Sequence, residues 1–415
     1  VPTNFSDAQK EALNKAAKDA GLEVLQFISE PVAAVLAYDA RPESKLADKI
    51  VVVADLGGTR SDIAVIASRG GIYTILATHH DYEVSGSVLD QALMDHFAKE
   101  FIKKHKSGGD PREDDRSLAK LKLECESVKK ALSIGNAANF SVESLSNGID
   151  FTATINRSRY EILVSKQLTA FARLVVHAVE KAKLDILDVS EIILAGGNSH
   201  TPKVASAVGN LFPESTVVLA PATSSTAINP SELSVRGAAI QASLISEFDL
   251  EDIEQSTHPA VTVTPHTSKA VGILLISGDP SNGIFNAIVD AETPLPVRRT
   301  AIIATPREGG DVLLKLVEGD RHIKVTKPEH KAREPSSDDD SDDESDEEEE
   351  VREKTWKIGA VLSEAALRGL KKGSKVEVQV NINQDLSVNA IFREVGGKGG
   401  VRGILQGPNS VNGSA

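Results

Sequence analysis

The sequence predicts a mixed α/β domain over residues 1–248 and a β-rich domain over residues 261–395, joined by a polar linker at 249–260. Two observations predict this. Up to residue 248, short apolar strands closed by glycine turns alternate with segments whose apolar residues recur every three or four positions, as in helices packed on a sheet. After Phe248 the helical period is lost, and from Val261 one strand follows another. The 415 residues also exceed a single ordinary domain of roughly 100–200 residues.

The elements follow in order. Ser6 and Gln9 have capping-box spacing, and Ala12, Leu13, Ala16, Ala17 and Ala20 form a small-residue stripe ending at Gly21, which predicts an opening helix. Residues 22–28 read as a short strand, Glu30-Pro31 as a break, residues 32–38 as a helix and residues 41–48 as a polar loop. Strands at 50–54, 61–67 and 72–78, joined by Gly57-Gly58 and Gly70-Gly71, predict an antiparallel meander. Leu89, Leu93, Phe97 and Phe101 recur every four residues, and Leu118, Leu121, Cys125, Val128 and Leu132 at three and four, so residues 84–132 are helical. Asn147-Gly148 predicts a hairpin turn inside 140–155. Residues 165–184 read as a helix, 191–195 as a strand ending in Gly196-Gly197, and Pro202 as a first helical position. Asn229-Pro230 opens a last helix to about Ile245. Strands are expected at 271–276, 300–305, 312–317, 356–362, 376–382 and 388–393. An acidic insertion at 334–352 and a Gly/Asn/Ser-rich tail at 396–415 are expected to be disordered.

Composition excludes several classes of function. The net charge is −14, but residues 338–350 hold eleven acids and no base, and without them the chain carries only −3. A nearly balanced body with 4% aromatics offers neither a basic face for nucleic acid nor stacking platforms for single strands. There is no uninterrupted apolar run of about 18 residues, so no membrane span is expected. The single cysteine, Cys125, permits no intrachain disulfide and suits a reducing compartment. P-loop, nucleophile-elbow and Cys–His zinc patterns are absent.

Three features carry candidate chemistry. Asp55-Leu56-Gly57-Gly58-Thr59 ends a buried strand. Its glycines let the backbone approach a ligand, and Asp55 and Asp62 flank the turn, where they can hold a hydrated metal ion over a phosphate. An ordinary hairpin turn with a solvated aspartate explains the motif equally well. Gly196-Gly197-Asn198-Ser199 follows a strand and precedes a helix, which suits a nucleoside or phosphate loop or a plain strand–helix turn. Glu126, Lys129, Lys130 and Ser133 are spaced to line up on the polar face of one helix, where solvated charges are also common. Together the three favour a nucleotide cleft. His79-His80 adjoins a strand end, but adjacent strand residues point to opposite faces, which argues against a shared metal.

These pieces together resemble the seventy-kilodalton heat-shock chaperone family. VPTNFSDAQKEALNKAAKDAGLEVLQFISEPVAAVLAY is similar to the family stretch that leads into its Glu-Pro-Thr-Ala-Ala segment. DLGGTRSD resembles the second phosphate loop, ESVKKALS the adenosine-binding helix, ILAGGNSHTPKV the adenosine loop and NPSELSVRGAAIQA the closing helix. The resemblance runs through residues 1–246 and implies the actin-like, two-lobed ATPase fold, with ATP and Mg2+ as ligands. It places Glu30, Asp55 and Asp62 in the catalytic positions, with no direct metal ligand: Asp55 and Glu30 reach Mg2+ through water. It places Gly57, Gly58, Thr59, Arg60, Gly86, Glu126, Lys129, Lys130, Ser133, Gly196, Gly197, Asn198 and His200 at the nucleotide. The family's first phosphate loop belongs upstream of Val1, so the α/β domain is expected to be incomplete in the first part of lobe I.

The departures are as informative as the matches. Thr59 stands at a glycine position, Arg60 at a threonine position and His200 at the position of an adenine-stacking arginine. The family's apolar interdomain linker is replaced by Glu251-Asp252-Ile253-Glu254-Gln255, and the β-rich half has no long helical lid. This pattern looks like an atypical branch of the family, the heat-shock-like subunit of the fungal ribosome-associated complex. It implies a cytoplasmic, ribosome-associated co-chaperone that binds ATP without a hydrolysis cycle of its own. The implied partners are a J-protein of the zuotin type, the ribosome indirectly, and nascent polypeptide. A hydrolysing foldase and a small-molecule kinase on the same fold are the competing expectations. Arg60 and the polar linker speak against the first. The β-rich half speaks against the second.

Overall fold

The computed structural model describes residues 1–42, 44, 47–249, 251–253, 265–275, 284–304, 310–326, 351–397 and 400–405. The chain forms two units, Val1–Val261 and Thr262–Ala415.

The first unit is built on a five-stranded sheet. Helix α1 (Asp7–Asp19) carries the expected capping box, in which Gln9 N–H donates to Ser6 Oγ and the Gln9 side chain accepts from Ser6 N–H, yet it buries no residue. Residues 22–28 are irregular instead of the expected strand. A strand needs a hydrogen-bonding neighbour, and among the described residues none lies beside this segment; the Val1 ammonium donates to Ile28 O instead. Helix α2 (Glu30–Asp39) starts with Pro31 in its first turn, where the missing N–H costs nothing. Strands β1 (Lys49–Leu56), β2 (Ser61–Arg69) and β3 (Ile72–Asp81) form the expected antiparallel meander. Next come α3 (Gly86–Lys104) and α4 (Asp115–Ile134), then the hairpin of β4 (Ala137–Ser146) and β5 (Ile149–Asn156). Its two-residue turn, Asn147-Gly148, has φ of 50° and 75°, the left-handed pair that such a turn requires. Helices α5 (Arg157–Leu163) and α6 (Ser165–Lys181), a 3-10 turn at Ile186–Asp188, strand β6 (Glu191–Ala195), a second 3-10 turn at Gly197–His200, helix α7 (Pro202–Gly209), strand β7 (Val217–Leu219) and helix α8 (Leu233–Ile245) complete the unit.

The sheet order is β3-β2-β1-β6-β7, with β6 parallel to β1 and β7 parallel to β6. Alternation along β1 divides the core. Ile50, Val52, Ala54 and Leu56 pack with apolar residues of α3, α4, α6 and α7, whereas Val51 and Val53 pack with α2. Helices α2 and α8 touch backbone to backbone, because a Cβ on Gly237 would overlap Ala33 O. At the far end of β1, Lys49 Nζ bonds Asp39 at 2.9 Å and Glu191 at 2.8 Å, and Tyr73 donates to the other Asp39 oxygen. Among the described residues no single helix is long and apolar enough to cross a membrane.

The second unit has two four-stranded sheets, β10-β13-β14-β15 and β12-β11-β8-β9. Its strands are β8 (Ala270–Leu275), β9 (Ile284–Val289), β10 (Val297–Ala304), β11 (Gly310–Thr326), β12 (Val351–Leu370), β13 (Lys375–Ile382), β14 (Val388–Glu394) and β15 (Gly400–Leu405). Ile273, Leu314, Leu316, Val376, Val378, Val380 and Phe392 share one buried core. Three expectations need correction. Strands β11 and β12 extend well past their expected ends, and Val351 and Arg352, assigned to the acidic insertion, pair with Thr326 and Val325. The register continues because an antiparallel partner satisfies those polar backbones, whatever the side chains. Gly400–Leu405, assigned to a flexible tail, adds to the β14 edge as β15. Strand β9 was not foreseen. The acidic run 338–350 lies outside the described residues. So do residues 250 and 254–260 of the linker and 398–399 and 406–415 of the tail. Within the linker, residues 251–253 form a helical turn and Ile253 is buried.

Candidate functional site: an acidic row and a nucleotide-sized cleft

Both candidate regions belong to the first unit and meet at the turn between β1 and β2. The turn closes on itself, since Gly57 N–H donates to Arg60 O at 3.0 Å. A Cβ on Gly57 would come 2.8 Å from that oxygen, which accounts for the glycine. The first amides of α3 hold the turn from outside: Gly86 N–H donates to Gly57 O at 2.9 Å and Ser87 N–H to Gly58 O at 2.8 Å. The Asn198 side chain holds it from a third side, donating to Leu56 O at 3.3 Å and Gly57 O at 3.0 Å. Gly86 packs so closely on Asn198 that a Cβ would overlap the amide. Gly196 has φ of 83°, and a Cβ there would overlap Asp55 Oδ1 and Leu56 O. The two glycine loops of the sequence are therefore one interlocked unit.

On the α2 side of the sheet, strand register places His80, Asp62 and Asp55 in one cross-strand row over β3, β2 and β1. Glu30, Pro2 and Thr3 cover this row and line a small cleft with Asp55 and Asp62. Asp62 is fully engaged: Arg60 Nε meets Oδ2 at 2.7 Å, and His80 Nδ1 meets Oδ1 at 2.5 Å. Tyr82 holds Arg60 from its other side. Asp55 differs. Burial, then repulsion from Asp62 and Glu30, pushes its carboxyl up to about 7, only partly offset by Arg60. A buried acid group this short of positive charge fits a divalent cation held through water at Asp55 and Glu30. Asp62 accepts one bond at each oxygen and keeps a further lone pair on each.

Asp55 also sets a pH dependence. Its folded pKa is raised above the unfolded value of 3.8, so the native state binds more protons between about 4 and 7. The stabilising contribution is fully present below the unfolded value and is lost as pH rises through the folded one. Stability of the ligand-free protein should fall across that window by an amount on the order of 2–4 kcal/mol. Asp55→Asn should flatten the slope, as read from urea unfolding at a series of pH values; an unchanged slope would place the titration elsewhere.

On the other side of the turn, Gly58, Thr59, Glu126, Lys129, Lys130, Ser133, Gly197, Asn198 and His200 line a cleft of about 820 Å³, large enough for a nucleotide. Along α4, Lys130 pairs with Glu126 at 2.8 Å and holds its carboxyl below the usual range, and Ser133 donates to Lys129 O at 3.3 Å. His200 Nε2 sits 3.0 Å from Asn229 Oδ1, which fixes the ring at the cleft wall. Sequence reasoning missed Asp90, which pairs with Lys129 at 2.7 Å while both are buried. One acid next to Leu89 in a buried stripe was its only signal. Ser87, Lys122, Pro221, Ala222 and Ser231 also line the cleft without any motif to announce them. Arg60 is not among the lining residues of either cleft: Asp62 and Tyr82 hold it. His79 leaves the acidic row and packs edge-on against His177 of α6, at 5.1 Å between ring centroids.

Comparison with known proteins agrees with this geometry. A family model described as Hsp70 protein matches residues 1–327. A Saccharomyces cerevisiae protein named ribosome-associated complex subunit SSZ1 is 41% identical over 408 residues, covering 98% of this chain and 73% of that protein. A heat shock protein 70 homolog of Schizosaccharomyces pombe is 42% identical over 408 residues, 97% of this chain and 70% of its own length. A heat shock 70 kDa protein of Oryza sativa, BIP3, is 35% identical over 326 residues, 78% of this chain and 45% of its own length.

Proposed function

Because the chain belongs to the Hsp70 family of chaperones, we propose that it is an ATP-binding co-chaperone with little hydrolysis of its own, acting with a J-protein of the zuotin type on nascent chains at the ribosome. The observation that carries this reading is the locked Arg60. In this fold, hydrolysis needs a water placed in line with the terminal phosphate, and catalysis is mostly positioning and charge stabilisation. Arg60 brings bulk and a fixed charge to the turn that must cradle that phosphate, and its guanidinium is tied to Asp62. Binding survives such a change, because Gly58, Thr59, Gly197, Asn198 and the α4 face still line the cleft. Mg2+, held through water at Asp55 and Glu30, would neutralise phosphate charge when bound. The chain's own residues do the rest: Asn198 and the α3 amides hold the turn, and Lys130 and His200 border the base end. The relative named as a ribosome-associated complex subunit matches nearly the whole chain, which supports the ribosome-linked part of the proposal.

The β10 edge of the second unit suits a partner strand, since β10 ends its sheet, whereas β15 at the other end lies against β12. The full-length protein should bind ATP by calorimetry, turn it over negligibly, and retain a zuotin-type J-protein in pull-downs whether or not nucleotide is present. Purification as a lone protein that ignores such partners would end the co-chaperone reading. Turnover at the rate of ordinary family members would favour the hydrolysing foldase, for which the presence of Glu30 and Asp55 beside the turn is the supporting observation.

A further inference from the structure

Where α4 stops, Ser133 and Ile134 line the nucleotide-sized cleft. Ile134 is 91% exposed, and Pro202, Pro221 and Ala222 add to the apolar lining, which suits a flat heterocycle. Two polar groups of this lining have already spent their protons inside the chain. The first is His200. The Asn229 amide beside it is oriented by two contacts: Nδ2 donates to Glu232 Oε1 at 2.8 Å, and Oδ1 accepts from Ser231 N–H at 3.1 Å. An amide oxygen can only accept, so His200 Nε2, 3.0 Å from that oxygen, carries the proton. In the neutral ring Nδ1 is then an acceptor, and among the described residues no group bonds it. The second is Ser133, whose hydroxyl donates to Lys129 O at 3.3 Å and so turns lone pairs to a ligand. Lys130, the neighbouring donor, is paired with Glu126.

We propose, on the nucleotide-binding reading above, that His200 selects the base: its Nδ1 accepts from an exocyclic amino group, so the cleft takes an amino purine and disfavours an oxo purine. An oxo purine carries a carbonyl where adenine carries its amino group. Facing Nδ1 and Ser133 Oγ, that carbonyl sets acceptor against acceptor and leaves each without a proton. The locked tautomer makes the choice. A ring free to move its proton to Nδ1 would serve a carbonyl equally well, and the Asn229 oxygen removes that alternative. The lock is itself anchored. Asn229 and Glu232 lie just before α8, and Gly196 N–H donates to Pro230 O at 3.1 Å, which ties their segment to the second glycine loop.

The test is calorimetry of the full-length protein with MgATP and with MgITP, whose base has a carbonyl in place of the amino group. NMR of the ligand-free protein at the same pH reports the His200 tautomer. ATP should bind at least about tenfold more tightly than ITP, and NMR should show the Nε2–H tautomer. His200→Phe keeps a flat ring and removes the acceptor, and it should narrow the preference to about twofold or less, mainly by weakening ATP. Equal affinities in the unmodified protein, or an Nδ1–H or doubly protonated ring, would overturn the inference, and neither result depends on a variant that folds. Equal weakening of both nucleotides in His200→Phe would overturn it too. Each of these leaves the co-chaperone reading standing. Failure to bind either nucleotide would overturn both.

Discussion

Arg60→Thr combined with Thr59→Gly should raise ATP turnover of the full-length protein by about 10²–10³-fold, the span usually associated with one well-placed polar contact in a transition state. Two changes are made at once because they act on different parts of the same turn. Thr59 lines the nucleotide cleft from the loop backbone, where glycine restores conformational freedom. Arg60 spends its guanidinium on Asp62. Replacing it by a small hydroxyl frees one Asp62 oxygen and removes a fixed positive charge from the turn. Nucleotide affinity should change far less than turnover, because tight ground-state binding gives no rate advantage by itself. Steady-state phosphate release with saturating ATP is the measurement. A double variant as slow as the parent would mean that the rate is limited elsewhere in the chain.

Gly196→Ala should abolish measurable nucleotide binding and lower stability by about 3 kcal/mol, from left-handed backbone strain and forced overlap together. The new methyl would run into Asp55 Oδ1 and Leu56 O, so it must push apart β1 and β6 at the end where the two glycine loops interlock. For a unit of this size the melting temperature should drop by about 5–10 °C. Gly209→Ala is the matched control, since a Cβ there meets only the Val218 side chain at 3.7 Å and the residue lines neither cleft. If both variants behave alike, the interlock does not set the site.

Periodicity and glycine turns made the meander, α3, α4 and the Asn147-Gly148 hairpin legible, because each reports a local backbone requirement. What they missed depends on distant partners. Residues 22–28 have strand composition but no neighbouring strand among those described, and β15 looks like tail composition but finds the β14 edge. In the site, the Glu126–Ser133 face and both glycine loops were visible as motifs. Asp90 and the Asn198 clamp were not, since their roles exist only once α3, α4 and the second loop meet. Resemblance placed Arg60 at the nucleotide; the folded turn gives it to Asp62, two residues away along the same strand end.

The charge knot at Lys49 acts as a ruler for the chemistry at the other end of its strand. Lys49 and Asp55 are six residues apart on β1, a span of about 20 Å at the usual rise per residue. The even spacing puts both on the face that packs against α2. A slip of β1 by one residue would turn Asp55 away from Glu30 and bring Ala54 into its place. The same slip would withdraw Lys49 from Asp39 and Glu191 and leave two largely buried carboxylates without a counter-charge. Misalignment is thus penalised some 20 Å from where it would do harm, and a change at Lys49 is expected to read out first as an error of frame at the phosphate turn.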